Sequence, residues 1–343
     1  VKTKILSGMT PSLPRFRSHN PVIGDRVVAR RRIPGANVHW TDVIGHVIGV
    51  DPLVIRPQSI GGMPSDAEEI MIPDEQLEVI KILSPRTIRN SDIRAVEVAT
   101  AKAFPGLVNE WHDGWLLRAG DGIAERSNSA SPLGPGVGFE AVPMEAITQF
   151  YATHDLPIKL HIPERIGRPA QKLVDAAPRR WALGPEILVM TKSLELQKAH
   201  EMPQGLAFSV DKQPDREWLD MYHFRGQALP EHALELLRTQ IDGHMGFGRL
   251  TTPGGQTVAI TRATITAAEE RTFLGYSAVE VAPAYRRQGL GTALGSLIQG
   301  WGAEQGAKEA YLQVVAHNKA GIGLYQKLGF SEHHRHRYAE QKF

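Results

Sequence analysis

Residues 276–301 read YSAVEVAPAYRRQGLGTALGSLIQGW, and residues 310–330 read AYLQVVAHNKAGIGLYQKLGF. The first stretch opens as a strand: Val279 and Val281 alternate with Ala278 and Glu280, and Pro283 ends the ladder because it has no N–H to give. Arg286-Arg287-Gln288-Gly289-Leu290-Gly291 then turns into a helix whose apolar positions Leu290, Leu294, Leu297, Ile298 and Trp301 fall at helical spacing. A strand, a glycine turn and a helix start make an anion site. Glycine lets backbone N–H groups approach a phosphate, the unpaired donors and dipole of the helix N-terminus favour negative charge, and the arginines add cationic donors.

The second stretch predicts a strand over Tyr311–Val315, a helix cap at Asn318, an apolar helix face of Ile322, Leu324, Tyr325 and Leu328, a stop at Gly329 and a new strand from Phe330. Together the two stretches resemble the GNAT superfamily, the GCN5-related N-acetyltransferases. The acetyl-CoA loop of that family, Q/R-x-x-G-x-G/A, is matched by Arg286, Gly289 and Gly291. Its later pattern N-x-x-A-x-x-L-Y-x-x-L-G-F is matched by Asn318, Leu324, Tyr325, Leu328, Gly329 and Phe330, with Gly321 where the family usually has alanine.

The resemblance implies an acetyl-CoA-dependent transferase. Arg286, Arg287, Gln288, Gly289, Leu290, Gly291 and Thr292 would hold the pyrophosphate, the main chain of Val279 and Val281 the pantetheine arm, with Asn318 close to it. Tyr325 would be the general acid for the departing CoA thiolate. An alkyl amine of pKa about 10 is neutral in only about one molecule in a thousand at pH 7, so its attack needs a base or a desolvating pocket. The glutamate that serves as base in histone-type members falls on Gly275 here. Glu280 is the candidate on the strand itself, against the alternative that it points to the other face or pairs with an arginine; Glu269, Glu270, His244 and His317 are weaker candidates. A small-molecule primary amine is therefore favoured as acceptor over a protein lysine. The rival readings are an acyl-CoA-binding regulatory or docking module without turnover and a protein- or RNA-associated lysine acetyltransferase.

The 343 residues are too many for one average domain. With 42% apolar and 22% charged residues every part can build a core, and a net charge of +2 gives no global reason for a nucleic-acid partner. No apolar run is long enough to span a membrane, and no signal peptide is visible. Without cysteine there is no disulfide or thiolate nucleophile, which fits a cytoplasmic location. Residues 1–20 read as a mobile arm. Residues 21–83 carry five short strands, DRVVARRRI, DVIGHVIGV, PLVIRP, EEIMIP and LEVIKIL, which predict a small SH3-like β-barrel. Arg26, Arg30, Arg31 and Arg32 form a basic cluster there, read as a solvated barrel face over the alternative of a contact for RNA, an acidic protein or a CoA phosphate from a neighbouring subunit.

Residues 84–200 read as helix, hairpin, helix, strand, helix, strand, with the hairpin turning at Gly120-Asp121-Gly122. This order resembles a reduced GNAT fold lacking the glycine loop. Trp111, His112, Trp115, Arg126 and Asn128 are either cleft residues at the junction of the halves or, for the indoles, core. Residues 201–343 give the order β, α, α, β, β, β, α, β, α, β, that of a complete GNAT domain, so the fold class is α+β: a tandem of a degenerate and a catalytic GNAT half behind the barrel. His333, His334 and His336, flanked by Arg335 and Arg337, read as a polar edge strand, and no second group at ligand spacing completes a metal site. No Ser-His-Asp or P-loop motif competes. The expected partners are acetyl-CoA and an amine, with no membrane or metal; a homodimer is open.

Overall fold

The computed structural model describes residues 16–17, 21–33, 40–59, 62, 65–84, 87–194, 202–224, 227–228 and 231–342. The chain divides into two compact units, Val1–Thr87 and Ile88–Phe343. In the first, β1 (Phe16–Arg17), β2 (Arg26–Arg32), β3 (Trp40–Val50), β4 (Leu53–Pro57), β5 (Ile70–Ile72) and β6 (Leu77–Ile82) form one six-stranded sheet in the order β1-β6-β2-β3-β4-β5. The five expected strands are β2 to β6, and their alternation buries Val27, Ala29, Val43, Val47, Ile55, Ile72 and Ile80 on a common core. Phe16–Arg17, inside the expected arm, pairs with β6 in parallel; the rest of that arm up to residue 20 lies outside the described residues.

The arginine cluster is largely consumed by its own unit. Arg30 makes a two-pronged contact with Asp42 at 2.8 and 2.9 Å, Arg32 pairs with Glu78 at 2.9 Å, and Arg26 is buried on Gln58, Thr87 and the Ser84 carbonyl. Arg30 and Arg32 each therefore carry a carboxylate partner from a neighbouring strand.

The second unit contains α1 (Asn90–Ala103), β7 (Val108–His112), β8 (Trp115–Ala119), β9 (Ala130–Pro132), α2 (Met144–Thr153), β10 (Lys159–Pro163), α3 (Arg168–Ala176), β11 (Trp181–Leu183) and β12 (Ile187–Ser193). It continues with β13 (Ala207–Asp211), α4 (Arg216–Met221), β14 (His223–Phe224), β15 (Gln227–Ala228), α5 (Glu231–Gln240), β16 (His244–Thr251), β17 (Thr257–Ala268) and β18 (Arg271–Val281). It closes with α6 (Leu290–Glu304), β19 (Glu309–Val315), α7 (Lys319–Lys327) and β20 (Ser331–Gln341). The hairpin of the first half turns one strand earlier than the sequence suggested. Asp113 and Gly114 both adopt positive φ (45° and 77°), the geometry of a two-residue turn between β7 and β8. Gly120 and Gly122 instead give their N–H groups to the Asn128 side chain at 2.9 and 3.0 Å in a loop before β9.

The two halves share one 12-stranded sheet, with the path β13-β16-β17-β18-β19-β12-β20-β10-β9-β8-β7 and with β11 paired to β20 off that path. β12, the last strand of the first half, is inserted between β19 and β20 of the second, antiparallel to both. β20 in turn pairs with β10. The expected polar edge strand is thus corrected: β20 has neighbours on both sides, and His333, His334 and His336 are buried. α6 and α7 cover one face, with Ile298, Leu324 and Leu328 against Ala263, Ile265, Leu274 and Tyr276. α1 covers the other, placing Ala95, Val96 and Ala99 on Val189, Ala268, Phe273 and Tyr311.

Candidate active site

The site begins where two parallel strands part. β18 is hydrogen-bonded to β19 only from Phe273 to Gly275, opposite Glu309 to Tyr311. From Tyr276 to Val281 its edge on that side faces no strand, so backbone N–H and C=O groups are available to a ligand. On its other edge β18 stays paired with β17, but the register slips: Ser277 opposes Arg262 and Glu280 opposes Ile260. Ala278 and Val279 thus share the single position of Thr261, a β-bulge, with Ala278 at φ 56°. A bulge leaves its extra residue outside the ladder and re-aims the strand. Thr261 braces it by donating its hydroxyl to the Ser277 carbonyl at 3.0 Å.

The glycine loop follows the strand. Gly289 caps α6 at φ 80°, and a Cβ there would meet no atom within 4 Å, so the space in front of it is open. The first backbone bonds of the helix come from Thr292 and Ala293 to the Gly289 carbonyl, both 3.0 Å, which leaves the N–H groups of Leu290 and Gly291 ahead of the helical ladder. The Leu290 side chain is core, packed with Leu250, Val258 and Leu294. Arg287 has φ 60°; Gln288 donates to the Ala284 carbonyl at 3.2 Å. Arg286 returns to the strand, its Nε 3.0 Å from the Val281 carbonyl and its Nη2 4.0 Å from Glu280 Oε2. Glu280 therefore has the arginine partner that the sequence left open.

On the far side of the fork α7 brings Tyr325. Its ring lies 6.1 Å from that of Tyr276 and 6.4 Å from Phe330, all edge-on. Burial, and then the nearby Glu280 carboxylate, push the Tyr325 phenol up to about 12. Tyr276 is a residue that sequence reasoning passed over. Its hydroxyl is buried and has no hydrogen-bond partner among the described residues. The signal was its place as the first residue past the last β18–β19 pair, which a sequence does not mark. Asn318 caps α7 by accepting the Gly321 N–H at 3.0 Å. A Cβ at 321 would come within 2.8 Å of the Asn318 amide nitrogen, so alanine there would shift the end of that side chain.

On the opposite face of the sheet stands Arg262, paired across from Ser277 beside the bulge. It is 1% exposed, and its Nε and Nη1 have no hydrogen-bond partner among the described residues. Its guanidinium lies 4.2 Å from the centre of the Phe104 ring, and that of Arg126 lies 3.6 Å from the same ring. Of the five residues considered for a cleft, Arg126 is the one beside this cation. Trp115 is core, Asn128 holds its own loop, Trp111 is exposed, and His112 lines a pocket of about 540 Å³ built wholly from the first half. Glu269 sits in the β17–β18 turn at φ 53°, Glu270 follows it there, and His244 opens β16.

A family model described as "Probable histone acetyltransferase Rv0428c C-terminal" matches residues 90–339, and one described as "Rv0428c N-terminal Sm-like domain" matches residues 21–62. The "Probable histone acetyltransferase Rv0428c" of Mycobacterium tuberculosis is 34% identical over 321 residues, 93% of this chain and 95% of that protein. The "Uncharacterized N-acetyltransferase YobR" of Bacillus subtilis is 27% identical over 252 residues, 71% of this chain and 97% of that one. Among solved structures, a GCN5-related N-acetyltransferase from Kribbella flavida superposes with a TM-score of 0.53 at 17% identity, covering 73% of this chain and 96% of its own. The chain belongs to the Rv0428c family of GCN5-related N-acetyltransferases, an Sm-like N-terminal domain followed by a GNAT acetyltransferase.

Proposed function

We propose that the protein transfers the acetyl group of acetyl-CoA to the primary amine of a small, anionic molecule at the fork between β18 and β19. The observation that carries this reading is the coincidence, at one fork, of an unpaired strand edge, a bulge, an open helix N-terminus and two phenols, Tyr276 buried and Tyr325 half-buried. The N–H groups around Gly289, Leu290 and Gly291, with Arg286, Arg287, Gln288 and Thr292, would take the pyrophosphate. The main chain of Val279 and the N–H of Val281, whose carbonyl Arg286 already occupies, would hold the pantetheine, and a bulge N–H aimed at the thioester oxygen would stabilise the oxyanion. Asn318 contributes by fixing the start of α7.

The amine nitrogen attacks the thioester carbon, the C–S bond breaks, and the proton lost by the nitrogen balances the one gained by the CoA sulfur. A phenol near pKa 12 lies about 3.5 units above a thiol of pKa about 8.5, so full transfer from Tyr325 to the thiolate would cost about 5 kcal/mol. Tyr325 therefore acts by donating a hydrogen bond to the developing thiolate and relaying the proton that the amine releases. The buried Tyr276 hydroxyl gains a partner in the same bound state. Glu280 raises the phenol and is the carboxylate nearest this chemistry that the sequence offers as base.

Arg262 supports the choice of acceptor. Among the described residues Arg262 has no counter-ion, a costly state for a buried cation, and a carboxylate or phosphate on the acceptor would supply one. A protein lysine is the second reading, favoured by the name of the mycobacterial relative. Calorimetric titration of acetyl-CoA into the protein tests the cofactor site, with Gly289→Glu expected to abolish micromolar binding. A left-handed glutamate costs about 1–2 kcal/mol of strain, so a melting curve of the variant accompanies it. Thiol release is then followed with amines bearing a carboxylate, neutral amines and histone-tail peptides. Turnover of carboxylate-bearing amines alone supports the proposal; turnover of peptides alone overturns it in favour of the second reading.

A further inference from the structure

Four ligand-type side chains from three separate elements converge inside the second unit. Glu97 comes from α1, His161 from β10, and His334 and His336 from β20; all are 2% exposed or less. Glu97 Oε1 lies 2.8 Å from His334 Nε2, 2.8 Å from His336 Nδ1 and 3.7 Å from His161 Nε2. His161 Nε2 and His336 Nδ1 are 2.7 Å apart. The ligand atoms of Glu97, His334 and His336 all lie within 4.8 Å of one another. We propose that Glu97, His334 and His336, with His161 beside them, bind one divalent transition-metal ion of the zinc class.

Two arguments carry this. The donor set is a carboxylate and imidazoles, the ligands such ions take, and bonds of about 2.0–2.1 Å in a tetrahedron put neighbouring ligand atoms about 3.3 Å apart. The observed spacings of 2.7 to 3.7 Å straddle that value, so a small outward movement of side chains makes room. Second, the outer nitrogens of His334 and His161 are held as metal-binding histidines usually are, whereas His336 Nε2 has no hydrogen-bond partner among the described residues. His334 Nδ1 meets His333 Nδ1 at 2.8 Å, and His161 Nδ1 meets Ser131 Oγ at 3.1 Å, itself held by Arg118 at 2.7 Å.

Arg118 is the cation that faces the group, one serine removed through Ser131. The role is structural: an ion here ties α1 and β10 of the first half to β20 of the second. It stands independently of the proposed acyl transfer.

The test uses the full chain expressed in zinc-supplemented medium, dialysed and analysed for metal by mass spectrometry. About one zinc per chain is expected, retained by His112→Ala, which removes a surface imidazole, and lost in His334→Gln/His336→Gln. Zinc returned to chelated protein should raise Tm. Because the double variant can fail to fold, unmodified protein is also loaded with cobalt(II), whose absorption distinguishes a low-coordinate nitrogen–oxygen site from a hydrated surface ion. Less than about a tenth of an equivalent of zinc with no Tm response, or a hydrated-type cobalt spectrum, overturns the proposal and leaves a proton-sharing network.

Discussion

The phenol oxygen of Tyr311 lies 2.6 Å from the point that a Cβ on Gly275 would occupy, and Thr264 Oγ1 lies 2.8 Å from it. Gly275 and Tyr311 are cross-strand partners at the last β18–β19 pair. The position of the histone-type glutamate is therefore filled from the neighbouring strand, and the base that is missing from the sequence has no room in the fold.

Gly275→Glu should accordingly destabilise the protein and restore no activity toward lysine peptides. Overpacking alone costs about 1–3 kcal/mol, which for a unit of this size lowers Tm by about 2–4 °C per kcal/mol. An unchanged melting temperature together with new peptide turnover would contradict this account of the site.

Tyr325→Phe and Tyr276→Phe should separate chemistry from stability. Loss of the Tyr325 hydroxyl should lower kcat about 100-fold or more while CoA affinity, read by calorimetry, stays within about twofold. Tyr276→Phe removes a buried hydroxyl whose isolation costs about 1–3 kcal/mol, so Tm should hold or rise while kcat falls. A falling Tm in Tyr276→Phe would mean that the hydroxyl has a partner in the free protein.

The pH dependence follows from the Tyr325 phenol near 12. A raised pKa keeps the phenol protonated until pH rises through that value, so the donor is present throughout the neutral range. The profile of kcat/KM should climb with pH as the amine is deprotonated and show no descending limb below about pH 10. A descending limb in the range of about 8 to 9 would assign the acid to another group.

Arg262→Met replaces a buried cation that has no ion-pair partner among the described residues with a side chain of similar length. Exchanging a buried charge for an apolar group is often neutral or stabilising by about 1–4 kcal/mol, so Tm should not fall. The KM for a carboxylate-bearing amine should rise about tenfold or more, with KM for acetyl-CoA unchanged. Equal effects on both substrates would remove Arg262 from acceptor recognition.

The local elements of this architecture were legible because each is written in contiguous residues. Alternation gave β2 to β6, the glycine loop gave the start of α6, and Asn318 and Gly329 bracketed α7. What sequence reading missed depends on partners far apart in the chain. Nothing in Ser331–Gln341 announces that β12 and β10 flank it, so its histidines looked like surface residues. The bulge at Ala278 depends on a register with β17, and the isolation of Arg262 on what surrounds it. The hairpin was misplaced because Gly120-Asp121-Gly122 competes with Asp113-Gly114 as a turn, and Asn128, a side chain six to eight residues on, decides between them.

The insertion of β12 between β19 and β20 also bears on how the chain is made. During synthesis the first half emerges more than a hundred residues before β19 and β20, so its last strand gains its first neighbour only when β19 appears and its second only with β20. Such long-range pairings are slow to form and leave strand edges open meanwhile. The nascent first half therefore waits with an unpaired β12, and residues 202–343 alone would carry a vacancy one strand wide. The two halves are separable as descriptions of ancestry, but not as units of inheritance: no cut between them leaves either piece with a finished sheet.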